Sequence, residues 1–305
     1  MRKSSPGTAA AALVVAAGLA VAGCDVTVGA GEYRVREEKR FSVSGPAQLT
    51  LTTFDGSIEV RGWDRNEVLV EVEKSGSDQA VVDRIELRAA QAGNTITIEA
   101  IKPSPLMTTG LRRSPAASLV VSVPKQTALS ARSGDGSITI RGIAGKIDLE
   151  TQDGGVRLDD VTGALTARTE DGSIRARGID GSARMSTGDG SIGVDGTLSG
   201  ARLETNDGSV EVTARRGSRV DADWEITTGD GSITMEVPEG LSADVEARTG
   251  DGPIRVRNLG VNAGKPEGDE DHDGNSTRFR IGGGGKPIRL RTTNGSITID
   301  GPAGK

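Results

Sequence analysis

The chain has very little cysteine, histidine or aromatic residue, and each scarcity argues against a class of protein. Its 305 residues include one Cys, one His, two Trp, one Tyr and three Phe. The single Cys24 permits no internal disulfide. The lone His272 stands in an acidic, Gly-rich segment. A Ser/His/Asp triad or a His-based zinc site needs a rigidly held imidazole, so neither is expected.

Aromatic residues make up 2% of the chain, against 44 Gly. This composition favours a narrow core of Ile, Val, Leu and Ala with tight corners. Sugar-processing grooves usually offer stacking rings, and few are present here. The aromatic residues are Tyr33, Phe41, Phe54, Trp63, Trp224 and Phe279. We interpret Trp224 as a residue packed in a bulge of the chain rather than as a platform for a ligand.

The charge balance is acidic. The formal net charge is −6, and it becomes more negative by two if Arg2 and Lys3 are removed with a leader. This argues against nucleic acid or anionic lipid as the main partner. After the N-terminal segment, no apolar run is long enough to span a membrane.

Residues 1–24 have the organisation of an export signal. Arg2 and Lys3 form a positive region, and an apolar stretch over residues 9–22 follows. It ends in Val-Ala-Gly-Cys24, which resembles the lipobox of bacterial lipoproteins, in which the Cys is acylated and becomes the new N-terminus. The resemblance implies a lipid anchor at Cys24, on the cell membrane or outer membrane, facing the periplasm or exterior. An ordinary signal peptide is the alternative.

The dominant positive feature is a tetrapeptide, Asp-Gly-Ser-Ile or a close variant, that recurs every 18 residues. Looser copies begin at Asp55, Asp230, Asp251 and Asn294. A fixed period of this length is typical of repeat arrays, in which each unit buries its apolar face against its neighbours. The regular copies begin at Asp135, Asp153, Asp171, Asp189 and Asp207.

Each unit contains two runs that alternate between apolar and polar residues, which predicts two short strands joined by a Gly-rich bend and an Asp-Gly turn. An antiparallel meander of hairpins could use this pattern. A constant unit length instead favours stacking of equivalent residues. We therefore predict an all-β, single-chain β-solenoid (parallel β-helix) with 18-residue coils and an irregular N-terminal β cap.

The domain prediction follows the period. Residues 25–40 are expected to be a polar tether, and residues 41–127 N-terminal strands and a cap, with a hairpin around Gly93-Asn94 and a helical turn capped by Ser77. Regular coils are expected over 128–260, a mobile acidic and Gly-rich loop over 261–286, and the last coil over 287–301.

The repeated Thr-x-Asp-Gly-Ser-Ile units, with the segments Val-Ser-Val-Pro124 and Met-Glu-Val-Pro238, resemble a bacterial family of β-strand-repeat domains labelled "putative adhesins". The resemblance covers roughly residues 41–300. It implies a β-solenoid displayed in the cell envelope, and it does not by itself establish an activity.

The Asp column has two interpretations. In the first, each carboxylate accepts backbone N–H bonds in its own turn, with Gly supplying a positive φ. In the second, the column is a row of calcium sites, although calcium β-rolls use a different Gly pattern. The loop that contains Asp269, Asp271 and Asp273 matches half of an EF-hand loop, but Arg280 stands where a bidentate Glu belongs. We expect no metal or cofactor, and weak calcium binding is the alternative.

A last hypothesis concerns charged residues expected to point outward. Clustered carboxylates and Arg in one groove, with an exposed aromatic, would favour a carbohydrate-active β-helix enzyme; a smooth ladder would favour a scaffold. We predict no catalysis, and a scaffold, adhesin-like or sensing module whose partner is an envelope protein or glycan. The outward residues are Arg175, Arg177, Arg184, Arg202 and Glu204.

Overall fold

Short strands alternate with tight turns in the computed structural model of this chain, which describes residues 21–29, 32–103, 114–259 and 275–302. Only one helix, of a single turn, is found in these ranges. The N-terminal elements are β1 (Val21–Gly29), β2 (Glu32–Ser42), β3 (Ala47–Thr52), β4 (Ile58–Trp63), β5 (Glu67–Gly76), α1 (Gln79–Val82), β6 (Glu86–Ala92), β7 (Thr95–Ile101) and β8 (Ala116–Pro124).

The remaining strands include two long ones that bend from one sheet into the other. The central strands are β9 (Thr127–Arg132), β10 (Ile138–Arg141), β11 (Ala144–Glu150), β12 (Val156–Asp159), β13 (Thr162–Arg168), β14 (Ile174–Thr187), β15 (Ile192–Asp207) and β16 (Val210–Ala214). The last strands are β17 (Trp224–Asp230), β18 (Ile233–Glu236), β19 (Ala243–Asp251), β20 (Ile254–Arg257), β21 (Asn275–Ile281), β22 (Pro287–Asn294) and β23 (Ile297–Asp300). The predicted all-β class is confirmed.

Two parallel ladders run the length of the molecule. We call them the post-turn sheet, whose strands follow the Asp-Gly turns, and the pre-turn sheet, whose strands precede them. The post-turn sheet has the spatial order β8, β4, β10, β12, start of β14, start of β15, β16, β18, β23, β20. The pre-turn sheet has the order β7, β3, β9, β11, β13, end of β14, end of β15, β17, β22, β19.

The pairing register reproduces the sequence period. Ile138 pairs in parallel with Val156, and Val156 with Ile174, so equivalent residues of successive units lie side by side. Parallel pairing of equivalent residues is what a solenoid requires and a meander of hairpins does not. The interval lengthens after Val210, which pairs with Ile233, because the connection over residues 215–223 adds five residues to the period.

The core lies between the two sheets. Ile138 and Ile140 of the post-turn sheet and Ile147 and Leu149 of the pre-turn sheet are all fully buried. Ile143, from the Gly-rich bend between them, is 2% exposed and lines the remaining side of the coil. Burial of one such side chain contributes about 1.5–3 kcal/mol, so each coil depends on its neighbours for most of its stability.

Antiparallel strands cover the N-terminal end of both sheets. Strand β5 pairs with β8 on one side and β2 on the other, and β1 pairs with β2. Strand β6 covers β7, joined through Gly93-Asn94 as the predicted hairpin. Helix α1 is capped by Asp78, whose side chain accepts a hydrogen bond from the Val81 N–H, and not by Ser77 as predicted.

Residues 25–40 were expected to be a tether, but Tyr33 to Ser42 pair with β5 along their whole length. The charged side chains that suggested a tether belong to this pairing, since Glu37 binds Lys74 and Glu73 binds both Arg34 and Arg36.

The C-terminal coil lies inside the stack. Strand β22 pairs with β17 on one side and β19 on the other, and β23 lies between β18 and β20. The segment expected over 287–301 to be the last coil therefore precedes the coil of β19 and β20 in space. Part of the loop expected over 261–286 is strand β21, which pairs antiparallel with β19.

Candidate functional site

A column of buried Thr hydroxyls binds each turn to its neighbour. Thr169 Oγ1 donates to the carbonyl oxygens of Gln152 (2.9 Å) and Gly154 (3.0 Å), and it accepts from the N–H of Gly172 (3.1 Å). One side chain thus joins the turn of its own coil to that of the preceding coil. Thr187 makes the same three bonds. The other Thr hydroxyls of the column donate to one or two turn carbonyls, and these residues are Thr151, Thr205, Thr228, Thr249 and Thr292.

The Gly after each Asp is required by close packing. A Cβ at Gly172 would lie 2.2 Å from the carbonyl oxygen of Gly154 and 2.9 Å from Thr169 Oγ1. The prediction that Gly supplies a positive φ is wrong at this position and at Gly136, Gly154, Gly190 and Gly208, none of which is among the positive-φ glycines. It holds at the ends of the array, at Gly56, Gly252 and Gly295.

The five Asp side chains of the regular turns are exposed. They are Asp135, Asp153, Asp171, Asp189 and Asp207. The turns stack, since the N–H of Asp171 binds Gln152 O and the N–H of Asp189 binds Glu170 O. Among the described residues, the side-chain hydrogen bonds that hold these turns come from the Thr column and, at the turn of Asp135, from Ser133. The role expected of the carboxylates therefore belongs mainly to these hydroxyls.

Charge repulsion within the column is visible at its N-terminal end. Partial burial raises the pKa of Asp55, and the nearby carboxylate of Asp135 raises it further. At the other end Asn294 replaces Asp, and its side-chain amide donates to Asp230 Oδ1 at 2.6 Å. An amide in the column therefore converts a repulsive contact into a hydrogen bond.

Metal-ligating residues are not gathered together in the described ranges: no group of three or more His, Cys, Asp or Glu there could hold a metal ion. The Asp column thus supplies no multidentate calcium site on its own. The half EF-hand residues Asp269, Asp271 and Asp273, and His272, lie outside the described residues.

Cys24 falls within β1, where only the backbone is described, and its lipidation is untested. Within the four described ranges, no helix has the length and apolar character needed to cross a membrane.

Three exposed arginines cluster on the outer surface of the post-turn sheet. Arg157 pairs in register with Arg175, and Arg177 follows two residues later on the same face. Among the described residues none of the three has an ion-pair partner within 4.0 Å. We call Arg157, Arg175 and Arg177 the arginine cluster.

The register explains why Arg177 has no ion-pair partner. Arg177 lies between Asp159 and Asp195 in its column. Asp159 is already bound by Arg141 at 3.5 Å, and Asp195 by Arg215, whose Nε donates to Oδ2 at 3.2 Å. Arg157 and Arg175 have Thr139 and Gly193 as their other column neighbours. Arg157 and Arg175 are attached to neighbouring strands about 4.8 Å apart, and two like charges at such a separation repel by about 1 kcal/mol in water.

A groove of about 410 Å³ opens beside the arginine cluster. Gly193 forms its floor, because a Cβ built there would meet nothing within 4 Å. On the far side of the groove, Glu211 contributes a carboxylate and Thr213 contributes a hydroxyl. Cationic, acidic and hydroxyl groups therefore line one shallow depression. Its lining residues are Arg175, Ala176, Arg177, Gly193, Val194, Asp195, Glu211, Thr213 and Arg215.

A larger groove, of about 540 Å³, lies at the N-terminal cap, but its charges are satisfied internally. Glu73 binds Arg36 at 2.7 Å, and Glu37 binds Lys74. Beside it, Glu59 binds Arg61 and Arg141, and the hydrogen bond from Arg61 is the main cause that lowers its pKa. The groove near the arginine cluster is the better candidate because two of its cations, Arg175 and Arg177, have no ion-pair partner among the described residues.

The outward residues predicted from the sequence fall on two surfaces. Arg175 and Arg177 belong to the post-turn sheet, whereas Arg184, Arg202 and Glu204 lie on the pre-turn sheet, where Arg202 binds Glu225 at 3.0 Å. No aromatic residue lines the groove beside the arginine cluster.

The aromatic side chains lie elsewhere. Trp224 is fully buried at the start of β17, as expected for a packing residue. Trp63 donates from Nε1 to Glu67 O at 2.9 Å, and the Arg65 guanidinium lies 4.9 Å from its ring.

With this geometry established, comparison with known families is informative. The model of the Toastrack DUF4097 family matches residues 47–300, which is most of the chain. The chain belongs to the Toastrack DUF4097 family. The predicted membership of a β-strand-repeat family labelled "putative adhesins" is thereby confirmed.

Three solved structures match this chain at low sequence identity and low TM-score. A "putative adhesin" from Bacteroides fragilis NCTC 9343 is 11% identical over 88% of this chain and 97% of its own, with a TM-score of 0.43. A "putative cell adhesion protein" from Clostridium sporogenes ATCC 15579 is 12% identical over 88% and 100%, with a TM-score of 0.27. A "putative lipid binding protein" from Parabacteroides distasonis ATCC 8503 is 14% identical over 88% and 97%, with a TM-score of 0.32. No protein with a curated description matches.

Sequence reasoning missed two features of this Toastrack chain. The sequence shows that Thr recurs before each turn. It does not show that the hydroxyl bonds to two carbonyl groups, because this depends on the distance between successive turns. The arginine cluster required the 18-residue register, which places Arg157 beside Arg175 and pairs Arg175 with a Gly. An alignment of the repeats in columns of 18 residues would have shown the arginine cluster.

Proposed function

We propose that this Toastrack chain is a lipid-anchored, non-catalytic display module of the cell envelope, a β-solenoid with 18-residue coils that acts as an adhesin-like scaffold. The observation that carries the proposal is the continuous outer surface of the post-turn sheet. Its outward columns run from coil to coil in register, so binding groups are spread along a rigid face. Such a surface suits recognition of an extended partner.

The lipobox-like sequence that ends at Cys24 supports the anchoring part of the proposal. A lipid chain contributes about 0.8 kcal/mol for each buried methylene, so two or three chains hold a protein firmly at a membrane. The groove with the arginine cluster contains carboxylates, which an enzyme would also need. Asp195, however, is bound by Arg215, and no aromatic platform lines the groove.

Metabolic labelling with radioactive palmitate tests the anchor. We expect the wild-type chain to incorporate label and the Cys24→Ser variant to incorporate none, because Cys24 is the only thiol. An unlabelled wild-type chain, or a labelled variant, would show that the anchoring proposal is wrong.

Sedimentation with isolated cell envelopes tests display without catalysis. We expect the purified full chain to sediment with the envelopes while the amount of soluble reducing sugar stays constant. Release of reducing ends above that of a heat-unfolded control would contradict the non-catalytic role. Failure to sediment would contradict the adhesin-like role.

A further inference from the structure

From the groove beside the arginine cluster we infer a binding site for a carboxylate-bearing oligosaccharide. The inference rests on the proposed display function and names its ligand class. The arginine cluster forms no ion pair among the described residues, whereas Arg141 on the same sheet binds both Glu59 and Asp159. Arg157 and Arg175 lie side by side, and the two carboxylates nearest to Arg177 in its column are bound by Arg141 and Arg215.

Guanidinium groups bind carboxylates through two parallel N–H···O bonds, and their planar fork is less strongly hydrated than an ammonium group. Two guanidiniums one coil apart, with a third two residues along the strand, match a ligand that carries carboxylates along a chain. An anion bound there also relieves the repulsion between Arg157 and Arg175.

The rest of the groove favours a sugar over a phosphate polymer. Glu211 and Thr213 stand opposite the arginines, and both have oxygens that accept hydrogen bonds from sugar hydroxyls. A phosphate chain carries more charge per unit length than a uronate chain, so Glu211 and the acidic net charge of the protein repel it more strongly. Gly193 leaves the depression open for a sugar ring.

Calorimetric titration of the purified full chain in detergent micelles tests this site with three probes. The probes are a hexagalacturonate, its fully methyl-esterified form, and inorganic polyphosphate. We expect hexagalacturonate to bind, with affinity that falls as salt screens the charges, and the neutral ester not to bind. Equal or tighter binding of polyphosphate would overturn the assignment to a carboxylated sugar.

Two variants locate the site. Arg175→Gln with Arg177→Gln should weaken hexagalacturonate binding by about tenfold or more, because two charge-assisted contacts are lost. Gly193→Thr should weaken it without any change of charge, by filling the depression. The matched control is Arg184→Gln with Arg291→Gln, which removes the same charge from exposed positions of the pre-turn sheet.

Equal losses in the control and in the arginine-cluster variant would show only general attraction and would overturn the inference. So would a wild-type chain that does not bind hexagalacturonate. Palmitate labelling and sedimentation with envelopes are independent of this result. If both succeed while hexagalacturonate fails to bind, the ligand assignment is wrong and the display function stands.

Discussion

At the scale of single residues, the stack is held at its turns by a hydroxyl and a glycine. Thr169 is 6% exposed and bonds to backbone groups of two successive coils. Buried backbone groups that lose their partner cost about 1–3 kcal/mol each, whereas a satisfied hydrogen bond contributes about 1 kcal/mol. The turns therefore tolerate loss of a surface Asp better than loss of a buried Thr.

Thr169→Val should lower the free energy of unfolding by about 1–3 kcal/mol, because the methyl group that replaces the hydroxyl leaves Gln152 O and Gly172 N–H without this partner. Urea denaturation measures the change. The matched control is Thr166→Val, at a partly exposed position of β13, the strand that ends just before Thr169, which should change stability by less than about 0.5 kcal/mol. Equal effects of the two substitutions would contradict the role given to the Thr column.

Asp55→Asn should stabilise the protein at pH 7 by up to about 1 kcal/mol, since the substitution removes repulsion from Asp135. The pKa of Asp55 is raised above 3.8 in the folded state, so the folded state holds this proton more tightly than the unfolded state. Stability is therefore lost as the pH rises through the folded pKa, and the gain from Asn should vanish below about pH 3.8. Melting temperatures at pH 7 and pH 3 check this, and an equal gain at both values would contradict it.

At the scale of strands and coils, local pattern and long-range pairing were predictable to different degrees. The 18-residue period was enough to predict the regular coils and their buried faces, because the pairing partner of each residue there lies one unit away in the sequence. It could not place β22 between β17 and β19, since that depends on a return of the chain over more than thirty residues. Strand β2 was missed because its ion pairs with β5 resemble the charges of a solvated tether.

Truncation after Gly285 should disorder the two coils that contain β17 to β20, because it removes the strands that pair with both. If the C-terminal coil lay at the end of the stack, its loss would uncover one coil and leave the other intact. Limited proteolysis followed by mass spectrometry should show cleavage across residues 224–257. A chain truncated after Gly301 serves as the control and should resist cleavage there; protection of residues 224–257 in both chains would contradict the interposed position.

At the scale of the whole molecule, the chain behaves as a one-dimensional array in which each coil contacts mainly its neighbours. Its stability should then be the sum of contributions from the coils and from the interfaces between them, so removal of one whole coil in register should lower stability without abolishing folding. The ends are different, since antiparallel strands cover them at β5, β6 and β21. The arginine cluster exists only because the register aligns two successive units, so fold and candidate site depend on the same periodicity.

The most direct test of this account compares two internal deletions by thermal unfolding and circular dichroism. Deletion of residues 166–183 removes one 18-residue unit and joins Leu165 to Arg184 with every column preserved. Deletion of residues 167–183 is one residue shorter, and it turns Arg184 inward to the buried place of Ala167. The account predicts a cooperatively folded β protein for the first deletion and loss of cooperative unfolding for the second. Equal tolerance of both deletions, or equal failure of both, would contradict the stacked register on which the fold and the proposed site depend.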